Sequence, residues 1–163
     1  MANRLSRAVA WLAALPAPLR NRATSLLFNS QVRFAGTGGL RFEKLDASEA
    51  IVVIRNRRAV QNHIGGVHAA AMALLAETAT GAVFGMNVPD DRLPLLKAMH
   101  IDYQRRARGA LRATATLSPA QRARIAADEK GELVVPVQVE DESGEAPIAA
   151  TMTWAWVPKK RDH

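Results

Sequence analysis

The hydrophobic positions of the chain are concentrated in one stretch, residues 69–88, in which Glu77 is the only ionisable residue. A stretch of this length that is apolar on nearly every side predicts a buried helix. Burial disfavours the charged form of a carboxyl group, so we also expect a raised pKa for Glu77. Two interpretations stay open from this pattern: a catalytic acid or base, or a structural carboxylate that bonds to a neighbouring loop.

Shorter patterns on either side of this stretch predict the other elements. They predict strands at residues 40–45, 50–56, 95–104, 110–118, 133–140 and 148–157, and helices at 4–15, 18–28 and 120–127. Pro136 inside a strand indicates an edge position or a bulge, and residues 36–39 (Gly-Thr-Gly-Gly) predict a turn. We expect the core to include Met72, Phe84, Met99, Trp154 and Trp156. This order of elements predicts an α+β chain whose antiparallel sheet wraps around one long helix.

The net charge of +7 is concentrated at the start of the chain. Residues 1–42 contain six Arg and neither Asp nor Glu, whereas residues 43–163 are nearly neutral. We therefore divide the chain into a basic helical extension (residues 1–39) and a main domain (residues 40–163). Packing of the extension on the main domain is the favoured interpretation. A membrane-surface contact through residues 1–30 and a targeting peptide are the less favoured ones.

Composition narrows the classes of function. The chain has no Cys, which excludes disulfides and thiolate chemistry and fits a reducing compartment, so we expect a cytoplasmic protein. The four His are scattered along the chain, and no metal site is predicted. Aromatic residues make up only 5% of the chain and no binding motif for nucleic acid is present, so we expect no nucleic-acid partner.

A polar loop before the long helix contains the second candidate cluster. Asn62, Gly65, His68 and Glu77 have the spacing Asn-x2-Gly-x2-His-x8-Glu. Nine helical residues separate His68 from Glu77 by about 13 Å, so one chain cannot bring the loop and the carboxylate to a common atom. Two copies with antiparallel helices can do so, and a two-fold homodimer forms two such shared sites.

This spacing, with the buried helix and the strands that follow it, resembles the hotdog-fold acyl-CoA thioesterases over residues 40–157. The most similar branches are the phenylacetate-pathway-like thioesterases and a related group of uncharacterised domains with Glu on the helix. The resemblance implies the hotdog fold, an antiparallel sheet around a central helix. It also implies hydrolysis of acyl-CoA or other acyl thioesters at a site shared between two subunits of a homodimer, or of a tetramer.

The resemblance also assigns roles to individual residues. It makes Glu77 the general base or nucleophile, Asn62 the residue that positions water or thioester, and His68 the residue that shapes the loop. The amide of Ala69 becomes the oxyanion donor. Substrate contacts are expected from Gly65, Gly66, Arg105, Arg106 and Arg108, the arginines holding coenzyme A phosphates. No cofactor is expected, because coenzyme A is part of the substrate.

One departure from the family pattern keeps other functions open. Ala69-Ala70 stands where the family has Gly-Gly, and the added methyl groups narrow the approach of a thioester. This favours, as an alternative, a non-catalytic hotdog module that binds acyl-CoA or lipid. A nucleic-acid or membrane adaptor working through residues 1–42 is a second alternative. A hotdog dehydratase is disfavoured because it needs a differently spaced His–acid pair.

Overall fold

A computed structural model describes residues 3–159. Its helices are α1 (Arg4–Leu12), α2 (Ala17–Gln31), α3 (Arg33–Gly38), α4 (Ala69–Gly85) and α5 (Pro119–Ala127). Its strands are β1 (Arg41–Leu45), β2 (Glu49–Ile54), β3 (Arg92–Tyr103), β4 (Leu111–Thr116), β5 (Gly131–Val135), β6 (Val137–Asp141) and β7 (Ile148–Pro158). The prediction of an α+β chain with one long helix after two strands is confirmed.

The strands form two antiparallel sheets with α4 packed against both. One sheet has the order β1-β2-β4-β6 and the other the order β3-β7-β5. In β2 every second residue (Ala50, Val52 and Ile54) is fully buried, as expected for a strand with one face on the core. The helix contacts β2 and β4 of the first sheet and β3 and β7 of the second. The predicted arrangement of sheet around helix is therefore present.

Small residues let α4 lie close to the second sheet. A Cβ at Gly81 would lie 2.7 Å from the indole of Trp154, so the ring occupies the space that a side chain would need. The Trp154 Nε1–H donates to the hydroxyl of Thr80 at 2.9 Å, which satisfies both polar groups inside the core. The contacts of Trp154 with Thr80 and Gly81 fix the position of the middle of α4 along β7.

The basic N-terminal helices pack on this body. The Asn3 amide donates to the carbonyls of Gly85 and Val88 at 2.6 Å each and so ties the start of α1 to the end of α4. Ser25 of α2 accepts from the Phe42 amide at 2.8 Å. The favoured interpretation of this segment, packing on the main domain, is confirmed. The outer side of α4 is therefore covered in part by this chain's own helices.

One local prediction is confirmed in part and two are wrong. The strand predicted over residues 133–140 is two strands, because Pro136 separates β5 from β6. Each of them is an edge strand of a different sheet, so the expected edge position of Pro136 is confirmed. Residues 36–38 are not a turn but the end of α3, which stops at Gly39 with φ 68°. Met99 is exposed on β3 instead of buried, whereas Met72, Phe84, Trp154 and Trp156 lie in the core as predicted.

Candidate active site

The loop before α4 is organised by the side chain of Asn62. Its Oδ1 accepts from the backbone amides of Ile64 (3.1 Å) and Gly66 (3.0 Å). The backbone N–H of Asn62 donates to the Gly66 carbonyl at 2.8 Å. Gly65 has φ 76°, a conformation that residues with a side chain rarely adopt. The side-chain oxygen of Asn62 is thus used by the loop itself, and its NH2 group makes no hydrogen bond within residues 3–159.

His68 caps α4 with its imidazole. Nδ1 accepts from the Ala70 amide at 3.0 Å, and the His68 carbonyl accepts from Ala71 and Met72. Within residues 3–159 the Ala69 N–H makes no hydrogen bond. Ala69 is exposed at the first helical position, where backbone amides and the helix dipole favour a negative charge. The structure therefore leaves one donor free at the predicted position.

Tyr103 holds this helix terminus from the second sheet. Its hydroxyl donates to the Ala69 carbonyl at 3.1 Å, although Tyr103 is the last residue of β3. The sequence patterns placed Tyr103 only within the strand predicted at residues 95–104, and nothing in the spacing indicates that it reaches a residue 34 positions earlier. It fixes the peptide unit next to the free amide, so we add it to the candidate site as a positioning residue.

Glu77 lies on the wall of an apolar cavity of about 510 Å³. The cavity is also lined by residues of both N-terminal helices, of α4 and of the second sheet: Leu5, Ala8, Leu27, Phe28, Val32, Gly81, Gly85, Pro94 and Trp154. Burial raises the pKa of the Glu77 carboxyl, and the Thr78 hydroxyl, which donates to it at 3.4 Å, opposes that rise only in part. The α1–α2 segment is thus part of the candidate site, which the sequence did not indicate.

Glu77 and the loop are not brought together within one chain. A second cavity, of about 540 Å³, lies at the loop and is lined by Gly65 and Gly66 among others, and it shares no lining residue with the cavity at Glu77. Helix geometry places the two groups about 13 Å apart along α4. Each chain contains both halves of the predicted site, but at separate positions.

Comparison with known proteins assigns the chain to a family. The family described as Domain of unknown function (DUF4442) matches residues 20–157. The chain belongs to this family. The match begins within α2, so α1 lies outside it.

Several solved structures have a fold similar to that of this chain. PA5026 of Pseudomonas aeruginosa, a protein of unknown function described as a probable thioesterase, is 26% identical, with a TM-score of 0.74 over 89% of this chain and 97% of that one. The thioesterase HI1161 of Haemophilus influenzae is 13% identical (TM-score 0.65, 80% and 86% covered). A mutant of the thioesterase PA1618 of P. aeruginosa is 18% identical (TM-score 0.68, 83% and 94% covered). The chain thus has the hotdog fold. The comparison with curated proteins finds no match.

The three arginines of the second cavity differ in what they bind. Arg105 Nη2 donates to the carboxylate of Asp141 at 2.8 Å and to Ser143 and Glu145, and Arg106 Nη2 donates to the Ile64 carbonyl at 2.8 Å. These two side chains therefore secure the fold around the loop. The Arg108 guanidinium makes no hydrogen bond within residues 3–159 and is exposed. Of the predicted phosphate ligands, Arg108 is the one that the protein leaves free.

The buried partner of Arg105 is strongly acidic. Burial alone would raise the pKa of Asp141, but hydrogen bonds from Ser143, the Arg108 amide and Arg105 outweigh it and hold the pKa at about 2. Asp141 thus stays ionised and joins the hairpin after β6 to the loop cavity.

Within residues 3–159, no group of three His, Asp or Glu side chains could hold a metal ion. No helix in the same range is long and apolar enough to cross a membrane.

Proposed function

We propose that this protein hydrolyses acyl thioesters, with coenzyme A esters as the substrate class, at sites shared between two subunits. The observation that carries the proposal is the pairing of an apolar cavity with one carboxylate, Glu77, whose pKa is raised. A second support is the free Ala69 amide at the start of the same helix. Thioester hydrolysis needs a base and an oxyanion donor, and these are the two groups present. PA5026 and the other similar structures, described as thioesterases, point the same way.

The edge of the second sheet supports a dimer. β3 has β7 as its neighbour on one side only, and Leu93, Leu95, Met99 and Tyr103 are exposed along it. A long edge strand with exposed apolar side chains is prone to pair with another strand. We propose that two β3 strands pair antiparallel about a two-fold axis.

That pairing explains how the separated halves meet. Tyr103, at the end of β3, contacts Ala69, and Pro94, near its start, lines the cavity at Glu77. Antiparallel pairing puts the end of one β3 beside the start of the other. The free amide of one subunit then faces the carboxylate of its partner, and symmetry makes two equal sites.

The proposed reaction proceeds in two proton-balanced steps. Glu77 takes a proton from water, and the hydroxide attacks the thioester carbonyl carbon while the Ala69 amide holds the developing oxyanion. The tetrahedral intermediate then collapses, the C–S bond breaks, and the proton on Glu77 passes to the departing thiolate. The raised pKa makes Glu77 a stronger base than an ordinary carboxylate, which suits a group that must accept a proton from water. The Asn62 NH2 group orients the water or the thioester.

The cavity defines the acyl group. Its volume of about 510 Å³ lies within the range of small-molecule sites, and apart from Arg4, Gln31, Glu77 and Thr78 its lining residues are apolar or glycine. We propose that the acyl chain enters between α1, α2 and α4, so that these helices select for apolar acyl groups. Arg108, beside the loop, meets the phosphates of coenzyme A.

Thiol release from acyl-CoA esters with two to sixteen carbons tests this function. We expect wild type to hydrolyse medium and long esters, and Glu77→Gln to lower kcat by about 100- to 10,000-fold, the range for loss of a general base. The matched control is Glu129→Gln, which removes an exposed carboxylate and should leave kcat unchanged. Equal turnover by wild type and Glu77→Gln would refute the role of Glu77.

A second candidate function is supported by the Ala69-Ala70 pair. The Ala70 amide is occupied by His68, and two methyl groups stand where the thioesterase pattern has glycines. A site that binds acyl-CoA without hydrolysing it follows if these groups block the approach. Binding without turnover by wild type, combined with turnover in Ala69→Gly, would establish this alternative in place of the enzyme.

A further inference from the structure

A groove lined by arginines shares no lining residue with either cavity of the candidate site. It has a volume of about 910 Å³ and runs between α2 and the strands β1 and β2. Its cationic lining residues are Arg22, Arg41, Arg55 and Arg57. Glu43 is the one acidic residue that lines the groove, and it forms an ion pair with Arg112, which lies outside the groove. The groove therefore has a strong positive charge.

These arginines are available to an outside ligand. All four are exposed, and none forms an ion pair within residues 3–159. Arg57 uses one Nη2 donor on the Thr37 carbonyl at 2.8 Å, which fixes its position at the groove. Guanidinium groups that converge without carboxylates attract phosphate-bearing anions.

Apolar side chains stand beside this groove. Leu19, Arg22 and Leu26 are spaced by three and four residues and so share one face of α2. Leu19 is 57% and Leu26 65% exposed, and Leu26 also lines the groove. Trp11, in the preceding helix, is 87% exposed. Exposed Leu and Trp among Arg residues are typical of helices that lie in a membrane interface.

Charge and shape select one occupant. A second copy of this chain would place the arginines of one subunit against those of the other, which repel. A small soluble anion would use the arginines but gain nothing from Leu19 and Leu26. Proteins that bind single-stranded nucleic acid stack its bases on exposed aromatic side chains. Phe42 is the only aromatic residue that lines this groove, and it is buried. An anionic lipid surface uses both the charge and the apolar residues.

We propose that the groove and the exposed face of α2 dock this protein on an anionic lipid surface. The arginines contact lipid phosphates, and Leu19 and Leu26 enter the boundary between headgroups and acyl chains. The opposite side of α2, through Leu27 and Phe28, lines the cavity at Glu77, so docking leaves that cavity uncovered. This inference concerns binding alone and does not depend on thioester hydrolysis.

Co-sedimentation with vesicles tests the proposal. We expect binding to vesicles of phosphatidylglycerol and phosphatidylcholine, and none to pure phosphatidylcholine. Arg22→Ala/Arg55→Ala should weaken binding about 30-fold, the loss expected for two basic residues at an anionic surface. The control Lys130→Ala/Lys159→Ala removes the same charge from exposed positions outside the groove and outside β3, and it should change binding much less.

A second variant separates a lipid surface from an anion site. Leu19→Ser/Leu26→Ser keeps every arginine and should weaken vesicle binding at least ten-fold, with the melting temperature unchanged because both side chains are exposed. Wild-type strength in this variant would overturn docking and indicate an anion site only. Equal effects of the groove and control pairs, or equal binding to both vesicle types, would overturn the proposal entirely.

Discussion

Asp141 offers a quantitative test of how the loop cavity is held together. Its Oδ2 accepts from Arg105 Nη2 and the Arg108 amide at 2.8 Å each, and its Oδ1 accepts from the amide (2.9 Å) and hydroxyl (2.6 Å) of Ser143. Its side chain has no exposed surface. Asp141→Asn replaces a doubly accepting carboxylate with a group that has one acceptor oxygen, so two donors lose their partner.

The pKa of Asp141 gives the size of the effect. A shift from the ordinary 3.8 to about 2 corresponds to about 2.5 kcal/mol, at 1.36 kcal/mol for each pH unit. Because the folded pKa is the lower one, this stabilisation is fully present above about pH 4 and is lost as the pH falls toward 2. We therefore expect Asp141→Asn to lower the free energy of unfolding by about 2.5 kcal/mol at pH 7, and by about half as much at pH 3.

Urea unfolding followed by circular dichroism at pH 7, 5, 4 and 3 measures this difference. Glu142→Gln is the control, since it changes an exposed carboxylate at the neighbouring position. A loss below 0.5 kcal/mol at pH 7, well under the roughly 1 kcal/mol of one typical hydrogen bond, would refute the network. A loss that stays constant from pH 7 to 3 would refute the electrostatic origin.

Three further predictions concern the candidate site. Glu77→Gln should raise the melting temperature at pH 8, because burial raises the pKa of this carboxyl and its ionisation therefore costs stability. The gain should disappear below pH 4, where the carboxyl is protonated. A lower melting temperature at pH 8 would instead indicate a satisfied structural carboxylate. Tyr103→Phe, which removes the bond to the Ala69 carbonyl, should lower kcat up to ten-fold with less than about 1.5 kcal/mol of destabilisation, and unchanged kcat would remove it from the site. Arg108→Ala should raise KM for coenzyme A esters but not for thioesters without phosphates, and equal KM changes for both would contradict phosphate binding.

Patterns that are local in the sequence predicted the fold well. The strong hydrophobic stretch identified α4, with its end three residues too late, and shorter patterns identified the strands β2 and β7. Pro136 was correctly seen as an irregularity, yet its effect depends on which sheet each flanking segment joins. That choice is made by long-range pairing, such as Val135 with Met152 and Val137 with Ala115. The spacing of residues along the sequence does not predict such strand pairs.

In the candidate site, too, features that depend on nearby residues were predicted, and features that depend on long-range contacts were not. The polarity of Glu77 against its surroundings indicated its burial and raised pKa, because both arise from its own helix. The covering of its cavity by α1 and α2 was missed, since it depends on contacts such as Asn3 with Gly85 and Val88, more than 80 residues apart. Arg105 looked like a ligand for phosphate because Asp141, its partner, lies 36 residues later.

The central claim, that Ala69 of one subunit and Glu77 of the other form one site, has a matched pair of variants. Ala69→Pro removes the free amide and nothing else of the backbone hydrogen bonding. Proline is well tolerated at the first position of a helix, and His68 already has the extended backbone (φ −65°, ψ 145°) that a following proline requires. We expect a folded dimer with kcat lowered about 100- to 1000-fold.

Mixing this variant with Glu77→Gln gives the most direct measurement. In a mixed dimer of a shared-site protein, one site combines the intact Glu77 of the first chain with the intact Ala69 of the second. Random mixing should then restore about a quarter of wild-type thioester hydrolysis, although each variant alone is inactive. Activity that stays at the level of the separate variants, with mixed dimers demonstrably formed, would contradict the shared site.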